Sequence, residues 1–337
     1  MCGRTCLTLA PDQILHACKY RRYNSDTGDG EDKMEHLKEP EWRSEFNCGK
    51  KFQPSHNIAP TDVTPVIVSG EHFRSADESD CPERVVVPMM WGMIPFWHKG
   101  DYRKHGLTTN NCRLEHMLES KLYRGPFQKG QRCVIVCEGF YEWQTTKTSK
   151  PSTREAYYLY MPQLDGIKIY DSSTFSENNV DLLKLAGLFD IWEDDNGDKM
   201  FSYAVITFES TKVMSWLHHR MPAILETEKQ VNDWLNFKHV SEKEALAALR
   251  PATKLEWHRV SNLVNNSRNK SEHCNKPIEL CPKKQIPTNN LTKWLVRRKR
   301  EEDIEAESDK EEDEQETPSK RPRIKRKISE EESSGEK

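Results

Sequence analysis

Apolar residues along this chain come in short runs, with few stripes at helical spacing. Runs rich in Val, Ile, Tyr and Phe occupy residues 64–68, 84–91, 132–143, 156–161, 184–192, 201–208 and 255–261, each bounded by Pro, Gly, Asn or Asp. That composition and spacing predict β-strands. Ile14, Leu15 and Cys18 fall at i, i+1 and i+4 and predict a helix over 11–20. Two further helices are expected at 227–237 and 241–249, each opened by a capping-box pair, Thr227 with Gln230 and Ser241 with Glu244. Strands outnumber helices and do not alternate with them, so the pattern reads as a sheet-dominated α+β fold. Residues 69–82, 145–154 and 164–181 read as polar loops, and the charged, aperiodic stretch 24–51 as a surface insertion. No repeat of fixed period is visible.

Composition changes this picture at one end. Only 35% of the 337 residues are hydrophobic, below the roughly 45–50% of ordinary globular chains. Residues 297–337 hold 12 basic and 15 acidic side chains with no aromatic, which leaves 39 of each sign in the preceding 296 residues. The polar excess therefore belongs to a tail too charged to fold alone, and the body is formally neutral. The body still has enough aliphatic and aromatic residues for a substantial core. No apolar run approaches the ~18 residues of a membrane span, and the apolar stretch after Arg4 is too short for a signal peptide. The chain reads as intracellular and its ten cysteines as mostly reduced thiols. No CxxC pair is present, so a structural zinc site is not expected.

Several residues could carry chemistry. Methionine aminopeptidase removes Met1 before a small residue, which would leave Cys2 with a free α-amine beside its thiol. An α-amine has a pKa of about 7.7–8.0, so part of it is a neutral nucleophile near pH 7. It can form a Schiff base with an aldehyde, and the thiol can close that imine to a five-membered thiazolidine. Gly3 leaves the approach open. The plain alternative is a Cys2 that packs in a strand. Glu138-Gly-Phe-Tyr-Glu142-Trp143 ends an apolar run; burial there would raise a carboxyl pKa into the range of general acid/base work. With period 2, Phe140 and Glu142 share one face while Tyr141 and Trp143 share the other, so aromatics surround Glu142 on both faces of the strand, which favours it over Glu138. His218-His219-Arg220-Met-Pro222 offers an imidazole and a guanidinium suited to phosphate. The paired histidines are a weak metal signal. Asn111 and Arg113, two residues apart, would reach one side of an extended segment. Trp91-Gly-Met-Ile-Pro-Phe96-Trp97 is either core or a stacking surface for unpaired bases.

Taken together, Met1-Cys2-Gly-Arg4, Asn57-x-Ala-Pro60, Trp91-Gly-x-x-Pro95, Asn111-Cys-Arg113, Gly139-Phe-Tyr-Glu142-Trp143, His218-His-Arg-Met-Pro222 and Val264-Asn-Asn266 resemble, in the same order, the SOS-response-associated peptidase (SRAP) family over roughly residues 2–275. The resemblance implies one domain over 2–281 with mixed or antiparallel, barrel-like sheets and flanking helices, followed by a disordered charged tail over 282–337. It implies a monomeric nuclear protein that senses abasic sites in single-stranded DNA at replication forks. The protein would capture the opened sugar through Cys2 as a thiazolidine crosslink and shield the site from strand cleavage and error-prone repair. By the same resemblance Glu142 is the acid/base of a reversible, lyase-like reaction, His218 stabilises the opened sugar, and Asn111 positions Cys2. Arg4, Arg113 and Arg220 contact flanking phosphates, Trp91 belongs to the DNA surface, and no metal or cofactor is needed. The choice of His218 over His219 rests on the family alone.

The extra charge in 24–51 and the irregular 164–181 depart from the family pattern, so loop contacts to DNA do not carry over. In the tail, Leu291-Thr-Lys-Trp294-Leu295 loosely resembles a peptide that docks on the replication sliding clamp, and the basic run over 320–327 reads as a nuclear localisation signal. Two other functions stay open at this level. One is an autoproteolytic or peptidase-type hydrolase in which the Cys2 thiolate attacks an acyl carbon. The other is a noncovalent reader of 5-hydroxymethylcytosine, which would not need Cys2.

Overall fold

Strands whose side chains are apolar on both faces can sit only where both faces are covered, and residues 84–91 are buried at every position. In the computed structural model this stretch is one stave of a small closed barrel. The structure describes residues 2–21, 37–44, 50–74, 82–147, 150–176 and 180–280. The chain divides into Met1–Cys281 and Pro282–Lys337, and every described residue lies in the first unit. The sequence readings of the tail, at 291–295 and 320–327, fall outside the described residues.

The strands in chain order are β1 (Thr5–Leu7), β2 (Glu41–Trp42), β3 (Ser55–Ile58), β4 (Val63–Ser69), β5 (Arg84–Trp91), β6 (Asn111–Arg113) and β7 (Arg132–Cys137). They continue with β8 (Gly139–Trp143), β9 (Ala156–Tyr160), β10 (Leu183–Glu193), β11 (Lys199–Glu209), β12 (Arg220–Pro222) and β13 (Glu256–Val260). The helices are α1 (Pro11–Ala17), α2 (Arg124–Gln128), α3 (Glu228–Leu235) and α4 (Glu242–Ala248). The fold is α+β and sheet-dominated, as the hydrophobic pattern predicts. Both capping boxes form, with the Thr227 and Ser241 hydroxyls accepting from the N–H groups of Gln230 and Glu244. Among the described residues no helix is long and apolar enough to cross a membrane.

Strands β5, β4, β7, β10 and β11 pair in that order, all antiparallel, and the parallel pairing of Met90 and Trp91 with Ser202 and Tyr203 closes the ring. Beyond that closure β6 runs parallel to β11, with Asn111 opposite Val205, while β12 lies antiparallel on the other edge of β11. A second, antiparallel sheet has the order β13-β9-β8-β1-β3. Period 2 divides its faces. Phe140, Tyr157 and Leu159 join the barrel core, whereas Tyr141, Ala156, Tyr158 and Val260 form a separate cluster with Cys6 and Cys274 on the other side.

Two expectations are corrected here. Residues 132–143, read as one strand, are two, and they belong to different sheets. The chain switches at Glu138, whose N–H donates to the Cys6 carbonyl at 2.9 Å. Its buried carboxylate accepts from the Thr8 N–H at 2.6 Å and hydroxyl at 2.7 Å. This break is a side-chain event that a run of apolar residues does not reveal. The stretch 24–51 is also more than a surface insertion: Glu41 and Trp42 add to the barrel edge opposite Val85 and Val86, and Lys38 bridges to Tyr20.

Gly139 follows the switch because nothing larger fits. A Cβ there would lie 2.4 Å from the Tyr158 ring and 2.7 Å from the Leu159 carbonyl oxygen. Gly139→Ala should therefore push β8 from β9 and destabilise the fold by about 3 kcal/mol, at the upper end of overpacking effects. Urea unfolding followed by tryptophan fluorescence measures this, and a variant within 0.5 kcal/mol of wild type (roughly the scatter of neutral surface changes) would refute the close-approach argument.

Candidate functional site

Where the inner face of the second sheet meets the barrel, four of the residues singled out from sequence converge. Cys2 precedes β1 and is buried, 1% exposed. It is held from two directions. The Asn111 Nδ2 donates to the Cys2 carbonyl at 2.8 Å, and two residues on, the Arg4 carbonyl accepts from the Tyr141 N–H at 2.9 Å. Asn111 is itself anchored by β6 against β11 and by the Tyr123 hydroxyl on its carbonyl at 3.2 Å. The carbonyl of Asn110 takes the Val205 N–H and the Trp91 indole. With Nδ2 committed to Cys2, the buried Asn111 Oδ1 has no hydrogen-bond partner among the described residues.

Glu142 lies on the inner face of β8, opposite Tyr157 of β9, and is 3% exposed. Burial raises its carboxyl above the usual range, opposed by the Trp143 N–H and the positive charge of Arg154. Burial also pushes the Cys2 thiol up to about 12, and the Glu142 charge adds to the effect. A thiol so placed is neutral at physiological pH.

His218 follows a tight turn and is fixed to the same region by main-chain contacts. Just beyond Glu142, the Gln144 side-chain amide donates to the Trp216 carbonyl at 3.1 Å and the Thr145 N–H to the Leu217 carbonyl at 3.0 Å. The His218 Nδ1 lies 3.0 Å from the Arg220 N–H and 3.2 Å from the Arg220 carbonyl oxygen, so the Arg220 main chain fixes the ring. Burial lowers the His218 pKa to about 4, and His219, stacked on it at 4.4 Å, contributes. The first histidine of the pair is thus buried beside the site, while the second is exposed.

The remaining sequence candidates take different positions. Arg113 is exposed on β6, two residues from Asn111 and pointing to the same side, with Cys112 buried between them. The Arg4 guanidinium donates to Asn57 Oδ1 at 3.0 Å and to the Val264 carbonyl at 2.7 Å, and lies over Trp143. It shares with Asn57 the task of holding the turn at 264–269, where the Asn57 amide donates to the carbonyls of Val264, Asn266 and Asn269. Arg220 is buried, paired with both carboxylate oxygens of Glu115 and with the Thr207 carbonyl at 2.8 Å. Trp91 is wholly buried and stacks on Tyr203. Its support of Asn110 is its visible contribution to the site. The exposed aromatics of its motif are Phe96 and Trp97, 53% and 41% exposed, packed edge to face at 4.8 Å.

Sequence reasoning assigned no role to Gln144, Arg154 or Glu115. Gln144 continues the period-2 face of Phe140 and Glu142, a signal present in the sequence. Arg154 and Glu115 reach the site only through folding. The seven described cysteines are buried free thiols, and among the described residues no three His, Cys, Asp or Glu side chains converge on a metal position.

Residues 1–267 match the family model described as SOS response associated peptidase (SRAP). The chain is 40% identical to the abasic site processing protein HMCES of Xenopus tropicalis over 329 residues, covering 95% of this chain and 93% of the relative. It is 30% identical to the abasic site processing protein YoqW of Bacillus subtilis over 66% of this chain and 85% of the relative. A solved protein of Bacteroides thetaiotaomicron shares the fold with a TM-score of 0.55 at 20% sequence identity, over 82% of this chain and 97% of that one.

The His218 environment carries a sign for pH. An unfolded chain protonates its imidazole near 6.5, whereas the folded one resists until about 4. Stability from the neutral ring is complete above pH 6.5 and is lost as pH falls toward 4. NMR of the ring should give a midpoint near 4, and His218→Gln should flatten this part of the stability profile. A midpoint at 6.5 would contradict the assigned environment.

Proposed function

Because this chain belongs to the SOS response associated peptidase family, we propose that it processes abasic sites in single-stranded DNA by capturing the opened sugar covalently through Cys2. The observation that carries the reading is the seating of a buried, neutral Cys2 thiol beside Glu142, with its carbonyl held by Asn111. The names of the relatives support the substrate.

Removal of Met1 supplies the α-amine. The abasic sugar opens when its C1′ hydroxyl loses a proton and its ring oxygen gains one, giving an aldehyde. The amine nitrogen bonds to C1′, and the hydroxyl formed there leaves as water once protonated. Glu142, with its raised carboxyl pKa, supplies these protons and takes them back. The Cys2 sulfur then bonds to C1′ while its proton passes to the nitrogen, closing the thiazolidine. One water is released overall, and a dry pocket favours its loss. The neutral His218 imidazole stabilises the sugar hydroxyl freed by ring opening. Reversal follows the same groups backwards. An aldehyde partner requires the free α-amine of Cys2, whereas acyl transfer mainly requires the thiolate, which burial disfavours.

Arg113 would neutralise a flanking phosphate, and Phe96 with Trp97 offers stacking faces to unpaired bases. The basic run at 320–327 supports a nuclear location, and residues 291–295 a contact with the replication sliding clamp.

Purified protein incubated with an oligonucleotide bearing one abasic site should give a shifted band on a denaturing gel, and intact mass should show Met1 gone. Cys2→Ala should abolish the band. Glu142→Gln should slow both formation and reversal by about 100-fold, the scale of lost acid/base assistance. Equal bands from wild type and Cys2→Ala would end the proposal.

A further inference from the structure

The inner face of the second sheet does not stop at Glu142. In the antiparallel register Glu142 stands opposite Tyr157, and on the next strand Trp257 stands opposite Leu159 and Arg259 opposite Tyr157. Residues opposite one another share a face, so Glu142, Tyr157, Trp257 and Arg259 lie on one side of the sheet. Phe140, Tyr157 and Leu159 of that side are covered by the barrel. The edge strand β13 extends past this cover, and Trp257 is 48% exposed.

Its ring does not stand alone. Trp216 packs on it at 4.5 Å, and Tyr157 meets Trp216 at 5.1 Å and Trp257 at 5.5 Å, both edge to face. Trp216 is held by its indole on the Val213 carbonyl, and its own carbonyl accepts from Gln144. It lies two residues before His218 and is tied to the segment that leaves Glu142. A single exposed apolar side chain is ordinary; a half-exposed tryptophan fixed by two aromatic neighbours on the sheet face of the reacting carboxylate is a preformed stacking surface. Two strand spacings and two residues along the strand separate it from Glu142, about 12 Å, within reach of the nucleotides next to a bound abasic one. Arg259 at the same edge pairs with Glu155 at 2.9 Å, which also accepts from the Tyr157 hydroxyl, so the cation frames the platform.

We propose that the Trp257 face, backed by Trp216 and Tyr157, stacks an unpaired nucleobase flanking the abasic site and so helps to seat the strand. This rests on the abasic-site reading above and adds to it a second base-binding surface, separate from Phe96 and Trp97.

The test uses the full chain and oligonucleotides carrying one abasic site with 2-aminopurine placed at each flanking position in turn. Wild type should quench the probe at one flanking position through Trp257. Trp257→Ala should lose that quenching and raise the DNA concentration for half-maximal crosslinking about tenfold, within the range for one lost stacking partner; Trp257→Phe should recover most of it. When the flanking bases are replaced by abasic spacers, wild type and Trp257→Ala should become equal. Unchanged quenching and half-saturation in Trp257→Ala would overturn this inference and leave the crosslinking reading standing. Failure of wild type to crosslink would sink that reading instead, while fluorescence anisotropy of the same oligonucleotides would still test the platform.

Discussion

Between Cys137 and Gly139 the backbone leaves the barrel and enters the second sheet, and a buried carboxylate makes the change of course possible. Glu138 accepts from the backbone and hydroxyl of Thr8 while its own N–H pairs with Cys6, so the first strand of the chain is fastened where the seventh ends. The cost of burying that carboxyl is offset by these hydrogen bonds. The glycine that follows lets β9 come close enough to pair. Without this junction Glu142 would continue along a barrel strand, and Cys2 would have no sheet to lead into. The Cys2 thiol and the Glu142 carboxyl meet because one side chain holds both strands.

The site that results is governed by desolvation. Burial raises the Cys2 thiol and the Glu142 carboxyl and lowers the His218 imidazole, each in the direction that favours the neutral form. A pocket of this kind is poorly suited to storing a thiolate and well suited to a condensation in which protons move between neutral partners and water departs. Asn111 adds rigidity, because its side-chain N–H holds the Cys2 backbone and β6 holds Asn111 against β11.

Charge is used twice over. Formal neutrality of the body first speaks weakly against a nucleic-acid partner, yet the positive side chains of the motifs are divided between architecture and surface. Arg220 is spent against Glu115 and Thr207, and Arg4 holds the 264–269 turn together with Asn57. Arg113 stays exposed beside Asn111. Net charge averages over these roles, so it carries no information about where an anionic strand would lie.

Much of the fold was legible along the chain. Every strand long enough to show β-branched and aromatic enrichment lies in a run read as strand, with β7 and β8 merged into one, and both capped helices are legible, since local pattern and local hydrogen bonding decide those elements. The short strands β1, β2, β3, β6 and β12 are not, because two to four residues carry no periodicity and they exist only by pairing with longer neighbours. At the site, Cys2 and Glu142 announced themselves by chemistry: an amine beside a thiol, and a carboxylate in an aromatic run. What the linear order could not contain was their meeting, the burial of Trp91, the pairing of Arg220 with Glu115, or the aromatic wall at Trp257. Those depend on contacts between residues far apart in sequence, whose free energy arises only when two sheets close over a shared core. Residue type thus determined the chemical groups this protein can offer, and packing decided which of those side chains are buried, neutral and brought together.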